Sequence, residues 1–86
     1  MNEIRERIVI TTAALLDAAR CACMPLSGDE RVAEVDAAAL LGLSRAYLKQ
    51  LRDAGEAPPH FRAPVNGSRI SYRVADLAAW IEVRRE

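Results

Sequence analysis

The sequence predicts a mainly α-helical fold that carries one small two-stranded β-hairpin towards its C-terminal end. Three observations lead there. Apolar residues recur at three- and four-residue steps over most of the chain, the period of amphipathic helices. One stretch departs from that period and places Asn66-Gly67 between strand-forming residues, the strongest short hairpin signal. The third lies in "AALLGLSRAYLKQL", Ala38 to Leu51, where Gly42 and Ser44 interrupt a helical run at its centre. One continuous helix has no use for either residue there. Two helices meeting at a corner use both, Gly42 as the left-handed stop of the first and Ser44 as the N-cap of the second.

From about Asn2 to Cys23, Ile4, Ile8, Thr11, Leu15, Ala18 and Ala22 share a helical face, and Val9, Ala13 and Leu16 widen it. Thr11-Thr12 leaves open whether this is one bent helix or two short ones, and Pro25 ends it. "PLSGDE" is a loop in which Ser27 and Glu30 fit a capping box for the next helix. That helix runs from about Val32 to Leu41 with Val35, Ala38 and Leu41 on one face. After the corner, Tyr47, Leu48 and Leu51 mark the inner side of a second helix that stops at Gly55. "APPHF" is extended, because prolines remove donors and fix φ. Phe61 and Val65 before the turn, and Ile70 and Tyr72 after it, form the hairpin arms, with Pro64 making the first arm an edge or an irregular one. A last helix, Val74 to Arg85, turns Val74, Leu77, Ala78 and Ile81 inward, with Trp80 expected in the core.

Eighty-six residues make one small domain with one modest core. No apolar run approaches the ~20 residues of a membrane span, and the N-terminal residues have no signal-peptide design, so a cytoplasmic location is expected. Cys21 and Cys23 are too few for a disulfide scaffold, and with His60 alone they make no zinc site. They are expected as reduced, partly buried thiols. No phosphate-cradling glycine loop, nucleophile with its base, or metal cluster is present in the sequence, so neither enzymatic activity nor a cofactor, metal or small-molecule ligand is expected. The formal charge is zero, but residues 1–43 hold four basic and seven acidic side chains and residues 44–86 hold eight and five. A basic half beside an acidic half points to a polyanion as partner of the former.

Two short helices around a tight glycine-containing turn form a helix-turn-helix. The stretch from Val32 to Ile81 resembles the small winged helix-turn-helix domains of the excisionase and MerR-like superfamily, with Gly55, Pro58, Gly67, Arg69, Tyr72, Asp76, Leu77 and Trp80 in that family's pattern positions. Repressors of plasmid operons are of similar size and organisation. Two departures are "APPHF", where the family has one proline, and the first 30 residues, which the minimal domain lacks. The resemblance implies a winged helix-turn-helix domain over residues 27–86, preceded by an N-terminal helical extension over 1–26. The stripe of Ile4, Ile8, Leu15 and Leu16 makes that extension a candidate dimerisation element, the alternative being that it covers its own domain.

With Leu48 and Leu51 inward, Ser44, Arg45, Ala46, Lys49, Gln50 and Asp53 face outward. Recognition-helix residues of these types suit DNA: Arg45 for guanine, Gln50 for adenine, Ala46 for a thymine methyl, Ser44 and the helix start for phosphate. Lys49 suits base or phosphate, Arg52 the backbone, and Ser68 and Arg69 at the wing the backbone or minor groove. The bland readings are a solvated face for Arg45, Lys49 and Arg52, a Lys49–Asp53 pair, and packing for Tyr47 and Tyr72. Arg62 and Arg73 are evenly balanced, and His60 is structural or exposed. The expected function is a dimeric repressor on a palindromic double-stranded operator. The alternatives are a DNA-bending recombination directionality factor and a protein-interaction adaptor with a structural helix-turn-helix.

Overall fold

The computed structural model describes residues 3–85. Its elements are α1 (Glu3–Cys21), β1 (Arg31–Ala33), α2 (Glu34–Leu41), α3 (Arg45–Asp53), β2 (Ser71–Arg73) and α4 (Val74–Val83). The fold is mainly helical with one two-stranded antiparallel sheet, as a winged helix-turn-helix requires. Among the described residues no helix is long and apolar enough to cross a membrane.

The first helix is continuous; Asn2, its expected start, lies outside the described residues. The two threonines are absorbed without a break. Thr12 Oγ1 donates back to the Ile8 carbonyl at 2.7 Å, the local bond that lets threonine sit mid-helix. Thr11 Oγ1 donates at 2.7 Å to Glu82 on α4, beside Arg7 Nε at 3.1 Å on the other carboxylate oxygen. These contacts dock α1 along α4. Leu15 and Leu16 pack against the core, and Ile4 and Ile8 are half-buried, so the apolar stripe of α1 faces its own domain.

Several sequence expectations change at the strands. Val32 opens no helix: residues 31–33 are a strand paired with β2 in the register Arg31 to Arg73, Val32 to Tyr72 and Ala33 to Ser71. A three-residue strand is too short for periodicity to register, and its pairing partner is forty residues away. Ser27 caps no helix either. Its hydroxyl accepts from the Arg31 amide at 2.8 Å and donates to Asp29 at 2.6 Å, closing a tight turn with Glu30 at φ 64°. Each strand then runs directly into a helix, and the Val74 amide at the start of α4 finds the Glu30 carbonyl at 2.9 Å.

The hairpin forms as its turn dictates. Asn66 and Gly67 both have positive φ, 51° and 83°, and Val65 and Ser68 exchange backbone bonds at 3.0 Å, a two-residue primed turn. The ladder below it is broken. Phe61 pairs with Ser71 and Val65 with Ser68, so the first arm holds one residue more than the second. Pro64, which has no donor, lies in that bulge, and the buried Ser71 hydroxyl donates to the Ala63 carbonyl at 2.8 Å in place of a ladder bond.

The core gathers Val32, Ala37, Ala38, Leu48, Ile70, Tyr72, Val74 and Leu77. Tyr72 belongs there as expected. Val35 and Tyr47 do not: they are 53% and 49% exposed. Trp80 is half-buried, with Arg84 stacked 4.1 Å over its ring and its Nε1 donating to the Glu56 carbonyl at 3.0 Å. Cys21 and Cys23 are exposed free thiols rather than partly buried ones, because the chain leaves the core as α1 ends.

Glu82 carries a prediction. Its carboxyl is held below the usual range by the Thr11 hydrogen bond first and Arg7 second, against the opposing effect of burial. A depressed carboxyl stabilises the fold above its unfolded pKa, and that contribution disappears as pH falls through the folded one. Urea unfolding of wild type and Glu82→Gln is therefore expected to differ at pH 7 and to converge below pH ~4.

Candidate nucleic-acid interface

The corner between α2 and α3 is built from backbone bonds. Gly42 adopts φ 77°, its amide donates to Ala39 at 3.1 Å, and the Leu43 amide donates to Ala38 at 2.8 Å. This double bond is the Schellman close, and it needs a residue that takes positive φ without penalty. Ser44 then caps α3, its Oγ accepting from the Tyr47 amide at 3.1 Å. Gly55, at φ 75°, terminates α3 in the same manner, with the Glu56 amide on Leu51 at 2.8 Å.

The nine-residue α3 thus has fixed sides. Leu48 is buried beneath it. Arg45, Ala46, Lys49 and Gln50 are exposed, as the sequence predicts. Arg45, Lys49 and Arg52 line one flank and meet Gly67, Ser68 and Arg69 of the wing across a groove of about 290 Å³. Val35 and Arg45 lie against the wing tip, Asn66 to Ser68, in an adjoining hollow. Of the sequence-predicted residues, Arg45, Lys49, Arg52, Ser68 and Arg69 are brought together from two elements on this groove, whereas Ser44, Ala46 and Gln50 are exposed outside it. Lys49 meets Asp53 at 3.2 Å, an exposed pair one helical turn apart of the kind that contributes only a few tenths of a kcal/mol.

Two of the predicted contacts are engaged within the protein. Arg52 Nε donates to Glu34 at 2.8 Å and Nη2 to its other oxygen at 3.4 Å, with the Arg52 side chain 15% exposed. The Tyr72 hydroxyl donates to the same carboxylate at 3.2 Å. Burial, then the Glu34 charge, pushes the Tyr72 phenol up to about 12, so it stays a donor. Ser68 Oγ donates to the Ile70 carbonyl at 2.7 Å and lies 3.5 Å from the Glu34 amide, latching the wing to the start of α2. Arg73 is likewise occupied, by Asp29 at 3.0 Å and by the Phe61 ring at 4.8 Å. Bonds from Ser27 and Arg73 hold the Asp29 carboxyl well below the usual carboxylate range. Arg62 and Arg69 are exposed and form no ion pair among the described residues.

Sequence reasoning missed Glu34. Its partners lie 18 and 38 residues away, and no periodic or local pattern marks a carboxylate for burial. The strand-to-helix step at residues 33–34 sets its side chain beneath α3, and the strand before it is too short to leave a signal in the sequence.

A glycine-turned helix pair, an exposed polar second helix and a hairpin beside it define a helix-turn-helix DNA-binding domain with a wing. Comparison with known families agrees: residues 35–85, more than half of the chain, match the family described as a helix-turn-helix domain, and the chain belongs to that family. It is a DNA-binding rather than an enzymatic family. Comparison with curated proteins and with solved structures gives no significant match.

Two substitutions test the geometry. Arg52→Met leaves Glu34 buried without its cation and is expected to lower stability by about 3 kcal/mol, measured by urea denaturation. Ser44→Ala is expected to cost about 1 kcal/mol, whereas Ser44→Asp keeps the cap and the stability. The aspartate places a negative charge at the helix start, so duplex binding measured by anisotropy should fall for Ser44→Asp despite its intact fold.

Proposed function

We propose that the protein is a sequence-specific transcriptional repressor that binds a palindromic double-stranded operator as a dimer. In this reading α3 with its caps, residues 44–54, enters the major groove, and the wing, residues 65–70, lies on the backbone or in the adjacent minor groove. The observation that carries the proposal is the convergence of Arg45, Lys49 and Arg69 on one exposed groove, beside outward Ala46 and Gln50. Arg45 has the fork for guanine O6 and N7, Gln50 the amide for adenine, and Ala46 the methyl for thymine. The start of α3 and Ser44 suit a phosphate. Arg52 serves by holding α3 at its angle through Glu34, and Ser68 by holding the wing.

A monomer of this size reads a few base pairs, and a two-fold pair doubles the site length. The N-terminal helix, residues 3–21, supplies the additional surface for pairing.

Selection from a random duplex pool and binding measurements on the selected sites test the proposal. A single inverted repeat is expected among those sites. Arg45→Ala is expected to cost about 1–3 kcal/mol and to relax preference at one base pair. Arg69→Ala should weaken all duplexes alike and reduce the slope of log K against log salt by about 1. Selected direct repeats, or binding no tighter than to a scrambled duplex at low salt, would count against the repressor reading.

A further inference from the structure

Val35 is an apolar side chain at the end of a polar cleft. Helical period places it with Ala38 and Leu41, yet it is 53% exposed. It stands in the first turn of α2, in a hollow of about 240 Å³ that Ala33, Arg45 and the wing tip, Asn66 to Ser68, complete. That hollow continues into the groove between α3 and the wing, with which it shares Arg45, Gly67 and Ser68. Ala33 and Ile70 also line this cleft but are buried, so among the described residues Val35 is its one exposed large apolar side chain.

The walls of the cleft are held in place. Ser68 donates to the Ile70 carbonyl at 2.7 Å and lies 3.5 Å from the Glu34 amide, which keeps the wing tip against the start of α2. The acid that lines the cleft, Glu34, is matched by Arg52 at 2.8 Å. What remains is a channel with Arg45, Lys49 and Arg69 as cations and Val35 as an aliphatic spot. One strand of a DNA duplex has the same alternation. The two grooves of a duplex are separated by a sugar–phosphate strand, so with α3 in the major groove and the wing on the backbone or in the minor groove, that strand runs between the two elements. Its phosphates are drawn to the cations, and its carbon-rich sugars gain from an aliphatic contact. Such a contact also discriminates. Deoxyribose has a methylene at C2′, whereas ribose has a hydroxyl there. Against the valine methyls that hydroxyl is withdrawn from water and gains no partner.

We propose that the cleft between α3 and the wing seats one sugar–phosphate strand with Val35 packed on the C2′ methylene of a deoxyribose, so that Val35 makes the protein reject ribose at that nucleotide. This rests on the placement of α3 and the wing given under the proposed function, and not on the dimer. It gives α2 a part in choosing the nucleic acid, beside the base-reading side chains of α3.

Anisotropy measurements on the selected duplex test this, with a single ribonucleotide moved along each strand, for wild type, Val35→Thr and Val35→Ala. The site is exposed, and circular dichroism melts verify the folds. In the wild type, one position for each bound domain is expected to raise Kd about tenfold, the effect of one hydroxyl left unpaired. Val35→Thr keeps the shape and brings a hydroxyl to pair with the ribose, so it is expected to reduce that loss to ~3-fold or less and to leave the rest of the scan unchanged. A second scan, with each thymine replaced by uracil, is expected to be the same for wild type and Val35→Ala. If the uracil scan separates those two proteins, the valine faces a base methyl and the sugar contact is overturned. If duplex binding is specific but the ribonucleotide scan is the same for wild type and Val35→Thr, Val35 lies off the strand; the proposal then fails while the docking of α3 and the wing stands. A wild type that binds the selected duplex no tighter than a scrambled one removes that docking as well.

Discussion

The carboxylate of Glu34 is the point at which α2, α3 and the strand below the wing are joined. It stands on the first residue of α2, only 3% of that residue is exposed, and it receives Arg52 from the end of α3 and Tyr72 from β2. Withdrawing a carboxylate from water costs several kcal/mol, which a bidentate guanidinium and a phenol offset only when both are correctly placed. That requirement works in reverse as a constraint. Any rotation of α3 relative to the sheet lengthens the Arg52 bonds, and any slip of β2 loses the Tyr72 bond. An isolated helix of nine residues has little stability of its own, so α3 depends on such tertiary anchors and on Leu48 beneath it.

The wing is tied to the same place. Ser68 sits between the Ile70 carbonyl and the Glu34 amide, and Ser71 replaces the ladder bond that Pro64 cannot make. A hairpin with only two bridges is marginal by itself. Here its base is the strand β2, which is paired to β1, and the wing inherits its position from the core. The side chains proposed to meet DNA, Arg45, Lys49 and Arg69, remain exposed, while Arg52 and Ser68, from the same two elements, carry the structural bonds.

Much of this was legible in the sequence because it is local. Gly42, Ser44 and Gly55 announce the ends of α3 through φ preference and side-chain reach within a few residues. Asn66-Gly67 announces its own turn. The expected outward set on α3 comes from helical period once Leu48 is placed inside. What escaped is what depends on distant partners. The strand at Arg31–Ala33 exists because β2 lies beside it, and an isolated three-residue segment carries no signature of that. Tyr47 and Trp80 have the composition of core residues, yet they line an open groove between α3 and α4, because among the described residues no further element packs over it.

The sequence by itself determined the helix pair, the corner between them, the hairpin tip and the residues available to face DNA, since caps, turns and amphipathic period are set by neighbours in the chain. Tertiary structure alone decided which cations remain available. Arg45, Arg52 and Arg69 look equivalent as letters. Burial of one acidic residue beneath α3 consigns Arg52 to an internal bond and leaves the other two on the surface, because a buried charge demands a partner and an exposed one does not.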